Sequence, residues 1–115
     1  MRLILSLILL VLCSLSLRVN AQIPVYCQLK GPVFIDPDLS RAHFRVYMEE
    51  SETFADLLVF KTTNPLFADK ACLWYFTPVR AQASFSIVFV KDRSNADFSI
   101  HFIDTESFAG CQNSK

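Results

Sequence analysis

From residue 31 onward, apolar side chains recur at every second position in short runs, and the runs themselves recur. Ala42, Phe44, Val46 and Met48 alternate with His43, Arg45 and Tyr47, and Ala55, Leu57 and Val59 open the next run. The pattern returns as Cys72, Trp74 and Phe76, then as Ala83, Phe85, Ile87 and Phe89, then as Ala96, Phe98, Ile100 and Phe102. Val33 and Ile35 hold the same places ahead of the first alanine. Side chains two apart share one face of an extended strand, so the signal is that of β-strands with one face turned to a core. A helix would need apolar residues at spacings of three and four, and these runs do not supply them. Val, Ile, Phe, Tyr and Trp, which suit a pleated and half-buried surface, dominate the runs.

The runs align on alanine: Ala42, Ala55, Ala68, Ala83, Ala96 and Ala109, with steps of 13, 13, 15, 13 and 13 residues. The long step carries a two-residue insertion within DKACLWYFTPVRAQA. Between the strands lie polar segments such as DPDLSR, EESET, TTNPL and KDRSN, whose Asp, Asn, Ser and Pro favour turns through local hydrogen bonds and fixed φ. Each unit is therefore one short strand and one connection, and the chain is an all-β domain of six to seven strands around one compact core. On the residues alone, a β-meander or a small barrel satisfies the pattern. The alanines mark the expected points of closest backbone approach. Phe54, Phe67 and Phe108, each just before an alanine, are expected to plug gaps at the edge of the core. Asp56, Asp69 and Asp97, each just after one, are expected to tie a strand's start to its preceding turn. A row of acidic side chains for calcium is the functional alternative, but His43, Ser84 and Gly110 interrupt it.

The opposite face of the strands is mixed. Leu58, Phe60, Val88 and Ile103 sit among Arg45, Tyr47, Ser86, Ser99 and His101, which predicts partial burial against the connections or a partner.

Ahead of the repeats, Arg2 precedes an apolar run from Leu3 to Leu17, and small Ala21 follows. This reads as a secretory signal over residues 1–21, cleaved before Gln22, leaving a single domain over 22–115 with its core at about 27–111. A retained anchor is the alternative, though the run is short for a span of roughly 20 residues. Leu12 before Cys13 is too large for lipoprotein processing. The expected location is secreted or periplasmic, with no stable membrane insertion once the signal is removed. Without Arg2 and Arg18, nine basic side chains face eleven acidic ones, and no Lys/Arg cluster exists, so nucleic acid is not an expected partner. Any other partner, a second copy of the chain included, is left open.

Three cysteines remain in the mature chain, Cys27, Cys72 and Cys111. Their spacing matches no zinc-ligand pattern, and export permits a disulfide. Cys27–Cys111 is the favoured pair because it flanks the domain and closes a long loop. Cys72–Cys111, at equivalent repeat positions, is the rival. In the favoured case Cys72 remains a free thiol in a core-facing column, behaving as a small hydrophobe.

No motif assembles a reaction. Two glycines in the whole chain leave no phosphate-cradling loop and no Gly-x-Ser-x-Gly elbow. His43 and His101 are the two histidines. Within an extended strand His101 and Asp104 would point to opposite faces, which is not a dyad. No catalytic, cofactor-binding or metal-binding residue is assigned, and no cofactor is expected. The leading expectation is a non-enzymatic structural or binding module. The alternative is a small exported hydrolase built from turn residues, which needs a His or paired carboxylates brought together by folding; a pocket holding His101 beside a carboxylate and a hydroxyl would support it.

ADLLVFK, NADFSIHFIDTESFAG with its terminal Ala-Gly, and the aromatic CLWYF unit together resemble the septoil knot domains, small repetitive β proteins. The likeness spans Cys27 to Cys111, with departures at His43, Ser84 and the Pro-containing turns. It implies a chain threaded as a seven-crossing torus knot. It brings no catalytic residues with it.

Overall fold

The structure is a computed structural model that describes residues 23–112; the expected signal over residues 1–21 lies outside them. Seven strands appear among the described residues: β1 (Gly31–Ile35), β2 (Phe44–Met48), β3 (Leu57–Lys61), β4 (Leu73–Phe76), β5 (Phe85–Val90), β6 (Phe98–Ile103) and the short β7 (Gly110–Cys111). One-turn 3-10 helices punctuate the chain: η1 (Val25–Gln28) before β1, then η2 (Glu52–Phe54), η3 (Pro65–Phe67), η4 (Arg80–Gln82), η5 (Arg93–Asn95) and η6 (Glu106–Phe108). The sequence pattern places turns there but does not reveal these helices. No helix among the described residues is long and apolar enough to cross a membrane.

The strands run β4-β1-β5-β2-β6-β3, and a further β3–β4 pairing closes the ring into a six-stranded barrel. All six pairs in the ring are parallel, and β7 adds antiparallel against the start of β3. A β-meander, which pairs consecutive strands antiparallel, is thereby excluded. Most consecutive strands are not neighbours at all. β2 follows β1 across β5, β3 follows β2 across β6, β5 follows β4 across β1, and β6 follows β5 across β2. β3 to β4 alone is a step to the adjacent place. The chain thus winds round the barrel twice, the second circuit lying in the gaps of the first.

Register explains how short connections manage this. Val33 faces Phe85, Ile87 faces Phe44, Val46 faces Phe98, Ile100 faces Leu57, Lys61 faces Trp74, and Trp74 faces Gly31. Each junction is staggered by two residues in the same sense, a shear of about 12 on closure, and a large shear tilts the strands steeply from the barrel axis. A crossover between parallel strands usually takes a dozen or more residues. Residues 49–56 or 91–97 suffice here because the tilted strand has already carried the chain part of the way round.

The alternating apolar residues point inward and stack in three levels. At the strand starts are Gly31, Phe44, Leu57, Cys72, Phe85 and Phe98. Val33, Val46, Val59, Trp74, Ile87 and Ile100 form the middle level, each 0% exposed. Ile35, Met48, Lys61, Phe76, Phe89 and Phe102 form the third, at the strand ends. Leu58, Leu73 and Val88, on the outward face, are buried as well, because connections lie over the outside of the barrel, and a parallel sheet is buried on both faces. That accounts for the mixed outer face.

Candidate functional site

Each strand is tied off by local chemistry. Asp36, Glu49, Thr62 and Thr77 occupy the same place in their units, and each accepts a hydrogen bond through a side-chain oxygen from the backbone N–H two residues on. Such Asx- and Ser/Thr-type turns end the strand and aim the chain outward. Two arginines then brace the crossovers: Arg80 pairs with Asp36 at 2.8 Å and donates to the Arg41 carbonyl, and Arg93 pairs with Glu49 at 2.6 Å and donates to the Phe54 carbonyl. At the far side of each connection the alanine closes the 3-10 turn. The Ala68, Ala83, Ala96 and Ala109 amides donate to the carbonyl three residues back.

Beyond the alanine, the structure corrects two expectations. Two of the three aspartates reach across to a neighbouring strand. Asp56 accepts from the Ser99 amide at 2.9 Å, and Asp97 from the Arg45 amide at 2.7 Å, so both stitch one strand's start to its neighbour in the ring. Asp69 is exposed. His43, which breaks the acidic row in sequence, makes the equivalent stitch. Its Nδ1 accepts from the Ser86 amide at 3.0 Å, so its proton is on Nε2. Nor do Phe54, Phe67 and Phe108 plug the core, for they are 65%, 61% and 66% exposed. The 3-10 turn directs the phenylalanine outward and tucks the alanine in, with Ala55 and Ala68 buried and the other four half-buried.

The two ends of the barrel differ. At the strand starts, η1 forms a lid. The Tyr26 ring stacks on Phe98 with centroids 4.9 Å apart, and the Leu29 carbonyl accepts from Trp74 Nε1 at 3.1 Å and from the Cys72 amide at 3.0 Å. Cys27 in this lid stands at disulfide distance from Cys111 in β7, with Cα atoms 5.2 Å apart. Cys72 is the buried free cysteine at the same level. Burial pushes its thiol up to about 11 from an ordinary 9.0, the opposite of what a reactive cysteine needs.

Among the described residues, no lid covers the strand ends. Ile35, Met48, Lys61, Phe76, Phe89 and Phe102, one from each strand of the ring, line a concave mouth of about 440 Å³ together with Thr62 and Tyr75. Ile35, Met48 and Phe89 remain 46%, 39% and 37% exposed there. Phe76 and Phe102 meet edge to face in its wall, and Phe76 packs edge to face on Trp74 of the middle level. Lys61 is the exception in this level. It occupies an inward place that is apolar in the other five units, and its Nζ lies 4.4 Å from the centroid of the Phe102 ring, a cation–π contact. Alternation of apolar residues ends at Val59 in that unit, so the apolar pattern alone does not reach Lys61. The signal is the lysine itself, at a position otherwise filled by Ile, Met or Phe.

His101 lies on the outer face of β6. Asp104 falls beyond the end of β6, so the two residues are not held apart by strand alternation as expected. Both line a shallow groove with Glu52, Thr105 and Phe108. Yet His101 Nδ1 is engaged by the Glu49 carbonyl at 2.9 Å rather than by Glu52, Asp104 or Thr105. The groove brings a histidine, carboxylates and a hydroxyl together without assembling a relay. Among the described residues, no group of three or more His, Cys, Asp or Glu side chains is placed to hold a metal ion.

A lidded, steeply sheared parallel barrel wound twice by one chain, with an open apolar end, defines the class of molecule. Residues 27–112 match the family model of the 7(1) septoil knot domain, and the chain belongs to that family. The double winding, in which crossovers pass over intervening strands, is the kind of path the resemblance implies. No curated protein and no solved structure matches the chain.

Proposed function

We propose that the protein is an exported, non-enzymatic binding module that takes a small apolar ligand in the open mouth of the barrel. The observation that carries this reading is the asymmetry of the two ends. One is closed by Tyr26 and the Cys27–Cys111 pair, whereas the other presents an apolar concavity of about 440 Å³, within the size range of small-molecule sites. Export is supported by the apolar run behind Arg2 and by a cysteine pair of the kind that persists in oxidising compartments. Intact mass of the exported protein should correspond to a chain beginning at Gln22.

The binding test uses N-phenyl-1-naphthylamine, a neutral probe that fluoresces in apolar surroundings. Its emission should rise with the native protein and stay low with Phe89→Glu, which places a carboxylate in the mouth. Phe54→Glu, on an exposed turn and outside the lining of the mouth, should leave the signal intact. Equal signals from all three proteins would reject the mouth as the site. The hydrolase reading retains one observation, the groove beside His101. Aryl-ester turnover that disappears in His101→Ala would favour it over the binding module.

A further inference from the structure

We propose that the ligand of the mouth is an anionic amphiphile, an apolar chain or ring bearing a carboxylate or similar group, free in solution and oriented by Lys61. The inference rests on the mouth being a binding site and adds the ligand's charge and its direction of entry.

The repeat, the charge and the geometry of the mouth lead there. The third inward level is built from equivalent positions of six repeats, five of them apolar, and a repeat broken at one place is broken there against the packing that made the rest. Lys61 is the one charged side chain lining the mouth among the described residues. Among the described residues, no carboxylate lies within ion-pair distance of its ammonium, since the ion pairs belong to Arg80 and Arg93. Its Nζ is instead held against the face of Phe102, at the rim of an apolar concavity and free to meet an incoming anion. A ligand seated here would bury its apolar part on Phe76, Phe89, Met48 and Ile35 and leave its charged group at Lys61. The closed ring has no free edge in the barrel wall for a peptide strand to extend, which favours a small molecule over an extended peptide.

The test is calorimetric titration of the native protein with decanoate, decanol and decylammonium below their aggregation concentrations. Decanoate should bind most tightly and decylammonium least. Lys61→Gln, which keeps the rim polar, and Lys61→Met, which restores the repeat, should each weaken decanoate by about three- to tenfold while leaving decanol unchanged. Lys30→Met, at the lidded end, should change neither. If decanoate and decanol bind equally and the Lys61 variants change nothing, the anionic ligand is rejected while the binding mouth stands. If neither these compounds nor the naphthylamine probe bind, the binding mouth itself is rejected, and this proposal with it. Self-association of Lys61→Met, with decanoate binding by Lys61→Gln undiminished, would overturn the proposal too, assigning the lysine to keeping two mouths apart. Binding to phosphatidylglycerol vesicles without binding to free decanoate would overturn it in favour of a lipid surface.

Discussion

His43, Asp56 and Asp97 follow alanine in their units, and a single geometric demand explains all three. The strand beside each offers a backbone N–H that the ladder leaves for a side chain, and imidazole Nδ1 meets it as a carboxylate oxygen does. His43→Asp should therefore keep stability within about 0.5 kcal/mol, whereas His43→Leu should lose about 1 kcal/mol. Urea midpoints of the two variants decide this, and equal losses would mean the bond contributes nothing. Cys72 makes a second residue-scale prediction. Its thiol is neutral in the folded protein to a pH of about 11, against 9.0 for an ordinary thiol. Below pH 9 neither state has lost the proton and the contribution is fully present. Between about 9 and 11 the unfolded chain ionises first, so stability falls with rising pH. Iodoacetamide at pH 8 should leave Cys72 unmodified in the native protein and label it promptly in denaturant.

At the scale of the element, the unit is a strand ended by a side-chain cap, a crossover closed by a 3-10 turn, and an alanine that re-enters the packing. Alanine is required because the turn's last residue faces inward just where the next strand begins. Ala55 is 3% exposed, so Ala55→Leu should cost about 1–3 kcal/mol through overpacking. Ala96, only half-buried, should lose less when changed to Leu. Ser94→Leu, two residues before it on an exposed turn, should stay within about 0.5 kcal/mol. Comparable losses at Ser94 and Ala55 would overturn this account of the unit. Denaturant transitions need long equilibration, since a chain wound in this way has to rethread to refold.

For the whole molecule, the insertion before β4 has the largest consequence. Steps of two places round a ring of six return to the starting place after three strands, and a second circuit would then collide with the first. The single step from β3 to β4 moves the second circuit into the vacant places. It coincides with the 15-residue unit and with Cys72, whose φ of 67° is the one positive value at a non-glycine among the described residues. The Cys27–Cys111 pair, 84 residues apart in sequence, then fastens the lid to the last strand. Peptide mapping without reductant should find these two linked. Cys27→Ser should lower stability by up to roughly 4 kcal/mol on the chain-entropy account, and by less if the unfolded chain stays threaded. Trp74, packed beneath the lid carbonyl of Leu29, reports the loosening by fluorescence. An unchanged urea midpoint after Cys27→Ser would show the lid to be held by packing alone.

Alternation is a local property, so strand identity, the inward face and the 13-residue unit are readable residue by residue. Spacing alone marks Val33, Val46, Val59, Trp74, Ile87 and Ile100 as inward, and all are fully buried. The order of strands is not readable from that spacing. Six strands with the same pattern are interchangeable partners for one another, and parallel and antiparallel pairing place the same alternate residues inward. Stagger at each junction, accumulated round a closed ring, selects the neighbours, and that sum exists only once the ring closes. The knotted path follows from likeness to a family rather than from periodicity. The outward turn of Phe54, Phe67 and Phe108 depends on 3-10 helices too short to leave a helical period. The mouth, too, is a property of the closed barrel. Lys61 is one polar residue in a strand until five other strand ends surround it with apolar side chains.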